Sequence, residues 1–124
     1  MTKMMGGVAP MGARMRLRVD PAAVPAGPIS LVASNVGWRT HEVVILPLAD
    51  GAAPGELDPG ADGKIDETGN LGEASASCAE GSGEGIESGT VGWMTVTLPA
   101  GRYELLCNLR NHYADGMYDG LVVS

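Results

Sequence analysis

Cys107-Asn108-Leu109-Arg110-Asn111-His112-Tyr113-Ala114-Asp115-Gly116-Met117 sets a thiol, an imidazole and a thioether in one short stretch, with four residues between each pair. The residues before it, Arg102 to Cys107 (RYELLC), read as a strand, and Tyr118 to Val123 reads as the next. A loop between two neighbouring strands therefore offers three different donors to one point. Upstream, His41 stands at the entrance to Glu42–Leu48 (EVVILPL), the strongest strand of the chain by β-propensity. The chain has two histidines, and both occupy this pattern.

Working outward, the rest of the chain also reads as short strands and turns. Met15 to Val19 alternates apolar and basic residues, the mark of a strand with one buried face. Asp20 to Pro28 is proline-rich and reads as a turn, and Ile29 to Val36 is a further strand. Val91 to Leu98 (VGWMTVTL) alternates again, and Pro99-Ala100-Gly101 turns the chain into Arg102. Residues 1–14 read as a flexible leader rich in Met and Gly, and residues 15–124 as a single domain. Residues 49–90 form a long acidic, Gly-rich insert, with a helical turn or two expected near Gly72–Ala79. The expectation is an all-β, Greek-key β-sandwich of six to eight short strands with this insert between them.

Composition narrows the partners. The formal net charge is -7, which disfavours binding to nucleic-acid phosphates. No stretch approaches the ~18 consecutive apolar residues of a membrane span, so no span is expected in this chain. The N-terminus lacks the apolar core of a signal peptide.

Donor chemistry selects the metal. Thiolate and thioether suit Cu(I), and imidazole serves both copper oxidation states. A His₂Cys set with a long axial Met is the arrangement of blue-copper electron-transfer sites. His41, Cys107, His112 and Met117 are the expected ligands of one copper ion. A histidine-built second copper centre is out of reach with these two histidines, so an oxidase or nitrite-reductase type of enzyme is not expected.

Tyr103-Glu104-Leu105-Leu106-Cys107-Asn108-Leu109, with His112-Tyr113 and Gly116-Met117, resembles the C-terminal copper loop of cupredoxins. Asn35-Val36-Gly37, followed by His41-Glu42-Val43-Val44-Ile45, resembles the segment carrying their first histidine. The likeness is strongest to small extracytoplasmic bacterial copper proteins of the sulfocyanin and rusticyanin type and covers roughly residues 15–48 and 91–124. It implies a copper-loaded sandwich that passes single electrons to redox protein partners docking near His112, through a patch of Arg110, Asn111, Tyr113 and Met117. It also implies a location outside the cytoplasm, with any signal or anchor absent from this sequence; a monomer is expected. The alternative is a copper-binding module for delivery, storage or resistance. Arg110-Asn111 departs from the family, since a tighter Pro-Gly pair is common there.

Some residues stay open. Cys78 reads as a free thiol, with an extra soft ligand or an intermolecular bridge as the sharper options; a disulfide to Cys107 ranks low. Asp58, Asp62 and Asp66 faintly resemble a calcium loop, but Gly60 and Gly69 stand where oxygen ligands are needed. Backbone N–H groups near Asn108 are expected to donate to the thiolate, and Asn35 or Thr40 to tie the His41 segment to the loop.

Overall fold

Val43-Val44-Ile45-Leu46 is an unbroken apolar run, and the structure buries all four residues. Strict alternation marks a strand with one dry face, whereas a continuous run marks a strand covered on both. Val43 and Ile45 point into the main core between two sheets, with Leu31, Met94, Leu105 and Leu121. Val44 and Leu46 point outward into a second cluster with Ile65, Leu106 and Tyr113. Ile65 belongs to the insert, so the insert is what covers the outer face of this sheet.

The computed structural model describes residues 2–5, 15–37 and 39–124. Its strands are β1 (Thr2–Met5), β2 (Arg16–Val19), β3 (Ala23–Val24), β4 (Gly27–Asn35), β5 (Val43–Pro47), β6 (Gly72–Ala74), β7 (Val91–Leu98), β8 (Gly101–Leu106) and β9 (Tyr118–Val123). They form a four-stranded sheet in the order β2-β1-β4-β7 and a five-stranded sheet in the order β3-β9-β8-β5-β6. The chain crosses repeatedly between the two sheets, and no helix occurs among the described residues. The all-β sandwich is as expected. β4 and β7 pair antiparallel along their length, from Gly27 opposite Leu98 to Ser34 opposite Val91. β8 lies between β5 and β9, antiparallel to both.

Three local expectations are corrected. Thr2–Met5, read as part of a flexible leader, is a strand: it runs antiparallel to β2 and parallel to β4, filling the slot between them. Residues 6–14 of that leader lie outside the described residues. Gly72–Ala79 forms no helical turn; Gly72–Ala74 is the edge strand β6, hydrogen-bonded to β5. A Cβ on Gly72 would meet Val96 and Met94, so only glycine lets the edge lie this close to β7. Ala23–Val24, inside the proline-rich turn, pairs in parallel with the end of β9.

The insert also closes an edge. Trp93 N–H donates to Ala79 carbonyl oxygen, and Gly81 N–H donates back to that of Trp93. The free side of β7 is thereby occupied, which removes a surface open to strand addition.

Candidate metal centre

Each donor sits where the backbone is held from two directions. His41 lies just before β5, and its backbone is bridged to Ile86 in the insert: His41 N–H donates to Ile86 oxygen (3.1 Å) and Ile86 N–H donates to His41 oxygen (2.7 Å). Cys107 follows β8, and its N–H donates to Met117 oxygen at 3.0 Å. Met117 N–H in turn donates to His112 oxygen at 3.2 Å. The loop is therefore closed upon itself across its two ends.

These constraints bring three donor atoms together. His41 Nδ1 and His112 Nδ1 lie 3.3 Å apart. Cys107 Sγ lies 3.2 Å from His112 Nδ1 and 3.8 Å from His41 Nδ1. His41 and Cys107 are buried and His112 is half-buried. Met117 is fully buried in the same core cluster as Cys107.

Burial sets the protonation of the group. His41 is pushed down to about 4, first by burial, then by the charges of His112 and Arg39. His112 is lowered for the same first reason, with Arg39 adding to it and Asp115 opposing. Both imidazoles are therefore neutral at neutral pH and present lone pairs. Burial pushes the Cys107 thiol up to about 12, while N–H groups of Glu42 and Leu109 favour the thiolate. The Glu42 N–H donates to Sγ at 3.4 Å. A metal cation must displace the thiol proton, so uptake is coupled to proton release.

The donor set fits one copper ion: two neutral imidazole nitrogens and a sulfur converge on one point, with a thioether buried beside them. The His41 Nε2 is, among the described residues, the one buried side-chain polar atom without a hydrogen-bond partner. His41 is held by its backbone and its packing instead.

The neighbours depart from expectation in part. Asn35 ties the His41 segment to the insert rather than to the copper loop: its Nδ2 donates to Arg39 oxygen (2.6 Å) and to Ile86 oxygen (2.8 Å). Its Oδ1 accepts from Gly37 N–H at 3.0 Å. Asn111 adopts φ +66°, a conformation that asparagine tolerates better than most residues. Tyr113 and Met117 cannot contribute to a docking patch, because they are 3% and 0% exposed. Arg110, Asn111 and Ala114 are the exposed residues of that turn. Cys78 and Cys107 are both free, Cys78 exposed and Cys107 buried. Asp58, Asp62 and Asp66 join no metal-binding group among the described residues.

Spacing alone did not reveal the polar links around the loop. Asn108 Oδ1 accepts from Ile65 N–H at 2.7 Å, and Asn108 Nδ2 donates to Ile65 oxygen (2.9 Å) and Glu67 Oε2 (2.7 Å). Buried Glu104 accepts from Tyr113 Oη–H at 2.7 Å and from Gly55 N–H at 2.9 Å. The Tyr113 hydroxyl also accepts from Leu57 N–H at 3.1 Å. Burial and then the Glu104 bond raise the Tyr113 hydroxyl above its ordinary range. Glu42 is pushed up to about 7, first by burial and then by Glu73 and Glu67, with Lys64 and the Asn108 N–H opposing.

A sandwich of two sheets with a Cys-His-Met loop at one end and a second histidine beside it defines a cupredoxin, a copper-binding β-sandwich protein. More particularly, residues 21–124 match the sulfocyanin (SoxE) domain, and the chain belongs to that family. Among solved structures it is similar to rusticyanin of Thiobacillus ferrooxidans (TM-score 0.61, 15% identity, covering 99% of this chain and 74% of that one). It is also similar to auracyanin of Roseiflexus castenholzii (TM-score 0.62, 19% identity, 98% and 94% covered). Auracyanin A of Chloroflexus aurantiacus, described as a "blue" copper protein, matches with TM-score 0.60 and 18% identity over 98% and 96%. At these identities the likeness is one of fold. No curated protein matches the chain.

Proposed function

We propose that the chain is a single-electron carrier whose one copper ion would be held by His41 Nδ1, Cys107 Sγ and His112 Nδ1, with the Met117 thioether as the fourth ligand. The observation that carries this reading is the convergence of the three donor atoms, all within 4.8 Å of one another. When bound, copper supplies a one-electron couple. The protein's own part is to present neutral imidazoles, to release the Cys107 proton and to keep water from the sulfur. His112 is the one of the three converging donors that is not fully enclosed, so its ring edge is the port for electrons. Arg110 and Asn111, both exposed, frame that port, and redox protein partners would dock there.

The burial of His41 and Cys107 favours a carrier over a copper-delivery module, since exchange of cargo needs open ligands. The chain's two histidines are both placed in this one site, and with the sulfocyanin likeness this favours a carrier over an enzyme with a second copper centre. The copper-holding domain is assigned to residues 15–124, acting as a monomer, with Thr2–Met5 adding a strand to it. Work outside the cytoplasm fits the family likeness; no helix among the described residues is long and apolar enough to cross a membrane.

The test is the visible spectrum of the Cu(II)-loaded full chain beside Cys107→Ala. The expected result is an intense thiolate-to-copper band that the variant lacks. A colourless chain that takes up Cu(I) alone would favour delivery. A chain that binds no copper would sink the assignment.

A further inference from the structure

Asn108 directly follows Cys107, is 3% exposed, and spends its whole side-chain amide on the insert. It pairs in both directions with the Ile65 peptide, as a neighbouring strand would, and its second N–H reaches Glu67. Ile65 is itself anchored, buried with Val44, Leu106 and Tyr113. One turn later, Asn111 N–H donates to Gly63 oxygen at 2.9 Å. The ribbon Gly63–Glu67 therefore grips the residue after one donor and the residue before another. The backbone N–H of Asn108 favours the Glu42 carboxylate, and Glu42 N–H donates to Cys107 Sγ. Asn108 stands where the insert, the loop and the His41 segment meet.

We propose that Asn108 is a positioning residue for the copper centre: by clamping the ribbon Gly63–Glu67 onto the loop, it fixes the separation of Cys107 Sγ and His112 Nδ1. This rests on the reading of those atoms as copper donors. The side-chain chemistry is specific. Alanine removes every bond, leucine of similar shape leaves the buried Ile65 N–H and C=O unpaired, and aspartate keeps the acceptor but loses the donor and faces Glu67. Groups that orient metal ligands from outside the coordination sphere typically change metal affinity by about 10- to 100-fold when removed.

The experiment uses the full chain and four variants: Asn108→Ala, Glu67→Ala, Asn108→Asp, and Asn108→Asp combined with Glu67→Gln. Cu(II)-loaded protein is read for the thiolate-to-copper band and for the rate of copper loss to a chelator. Metal-free protein is read for amide exchange at Ile65 and Asn111. Asn108→Ala should shift or weaken the band, lose copper about 10- to 100-fold faster, and speed exchange at both amides. Glu67→Ala should move all three in the same direction by less. Glu67→Gln should restore part of what Asn108→Asp loses, because the new amide can donate to the new carboxylate. A folded Asn108→Ala protein with the wild-type band and release rate overturns the proposal. If that variant does not fold, Glu67→Ala decides, and an unchanged band and release rate overturn it. A wild-type chain without a thiolate band overturns the copper reading itself, and this inference with it.

Discussion

The loop 107–117 and the insert 49–90 meet at one end of the sandwich and contribute in opposite ways. The loop carries Cys107, His112 and Met117 but spans few residues and has little core of its own. The insert carries no donor in the converging group, yet it reaches the neighbourhood of every one: Ile86 beside His41, Ile65 beside Cys107, Gly63 beside His112. The lesson is a division of labour. A short loop can present soft donors in fixed places only if something outside it holds the backbone, and here a segment rich in acids and glycines does so through hydrogen bonds, anchored by the buried side chains of Ile65 and Ile86. Preorganisation from outside the coordination sphere is the general form of this arrangement.

The division breaks most severely at the Glu104–Tyr113 junction. Glu104→Ala would leave the Tyr113 hydroxyl and the Gly55 N–H without their buried acceptor, and we expect a loss of roughly 4 kcal/mol in urea unfolding. The loss should be much smaller for Glu104→Gln, which keeps an acceptor.

A second break uses pH on the metal-free protein. His41 is depressed to about 4 from an ordinary 6.5, so its neutral form stabilises the fold above 6.5 and that contribution falls away as pH drops towards 4. Integrated over that window it is about 3 kcal/mol. Glu42 is raised from 4.5 to about 7, so its contribution is present below 4.5 and is lost as pH rises towards 7. The two slopes oppose each other between 4.5 and 6.5. His112, lowered as well, adds to the His41 slope, so wild-type stability should fall only in part on acidification there, whereas Glu42→Gln should fall more steeply, measured by urea unfolding at stepped pH.

Gly63→Ala sharpens the comparison at a single contact. Gly63 has φ +74°, and a Cβ would intrude on the Asn111 side chain. A cost of about 1–2 kcal/mol is expected from the backbone alone. Amide exchange at Asn111 should rise while exchange in β4 and β7 stays unchanged. At the small end, Cys78→Ser should leave the copper band intact and shift stability by less than about 0.5 kcal/mol, since Cys78 is exposed and unpaired.

Much of this was legible in the sequence, for identifiable reasons. Val91–Leu98 was readable to the residue because alternation reports which face is dry, and Tyr118–Val123 was readable as the strand that follows the loop. Val43–Leu46 was readable as a strand by its β-propensity, while the cover on its outer face comes from Ile65, Tyr113 and Tyr118, which are distant in sequence. The candidate donors were readable because Cys, His and Met at loop spacing are chemically unusual. β6 was not, because Gly-Glu-Ala has no periodicity and is a strand only by virtue of the β5 edge beside it. Asn108 was named for its backbone, while its side chain binds residues far upstream, and such long-range bonds leave no local mark. Asn35 was correctly singled out but assigned to the wrong partner for the same reason.

The most direct test of the account is X-ray absorption at the copper edge of the Cu(II)-loaded full chain. The account predicts one short copper–sulfur contact and two copper–nitrogen contacts, with the sulfur lost in Cys107→Ala and retained in Cys78→Ser. A copper bound only by nitrogen and oxygen, or a sulfur that disappears with Cys78 instead, would contradict it.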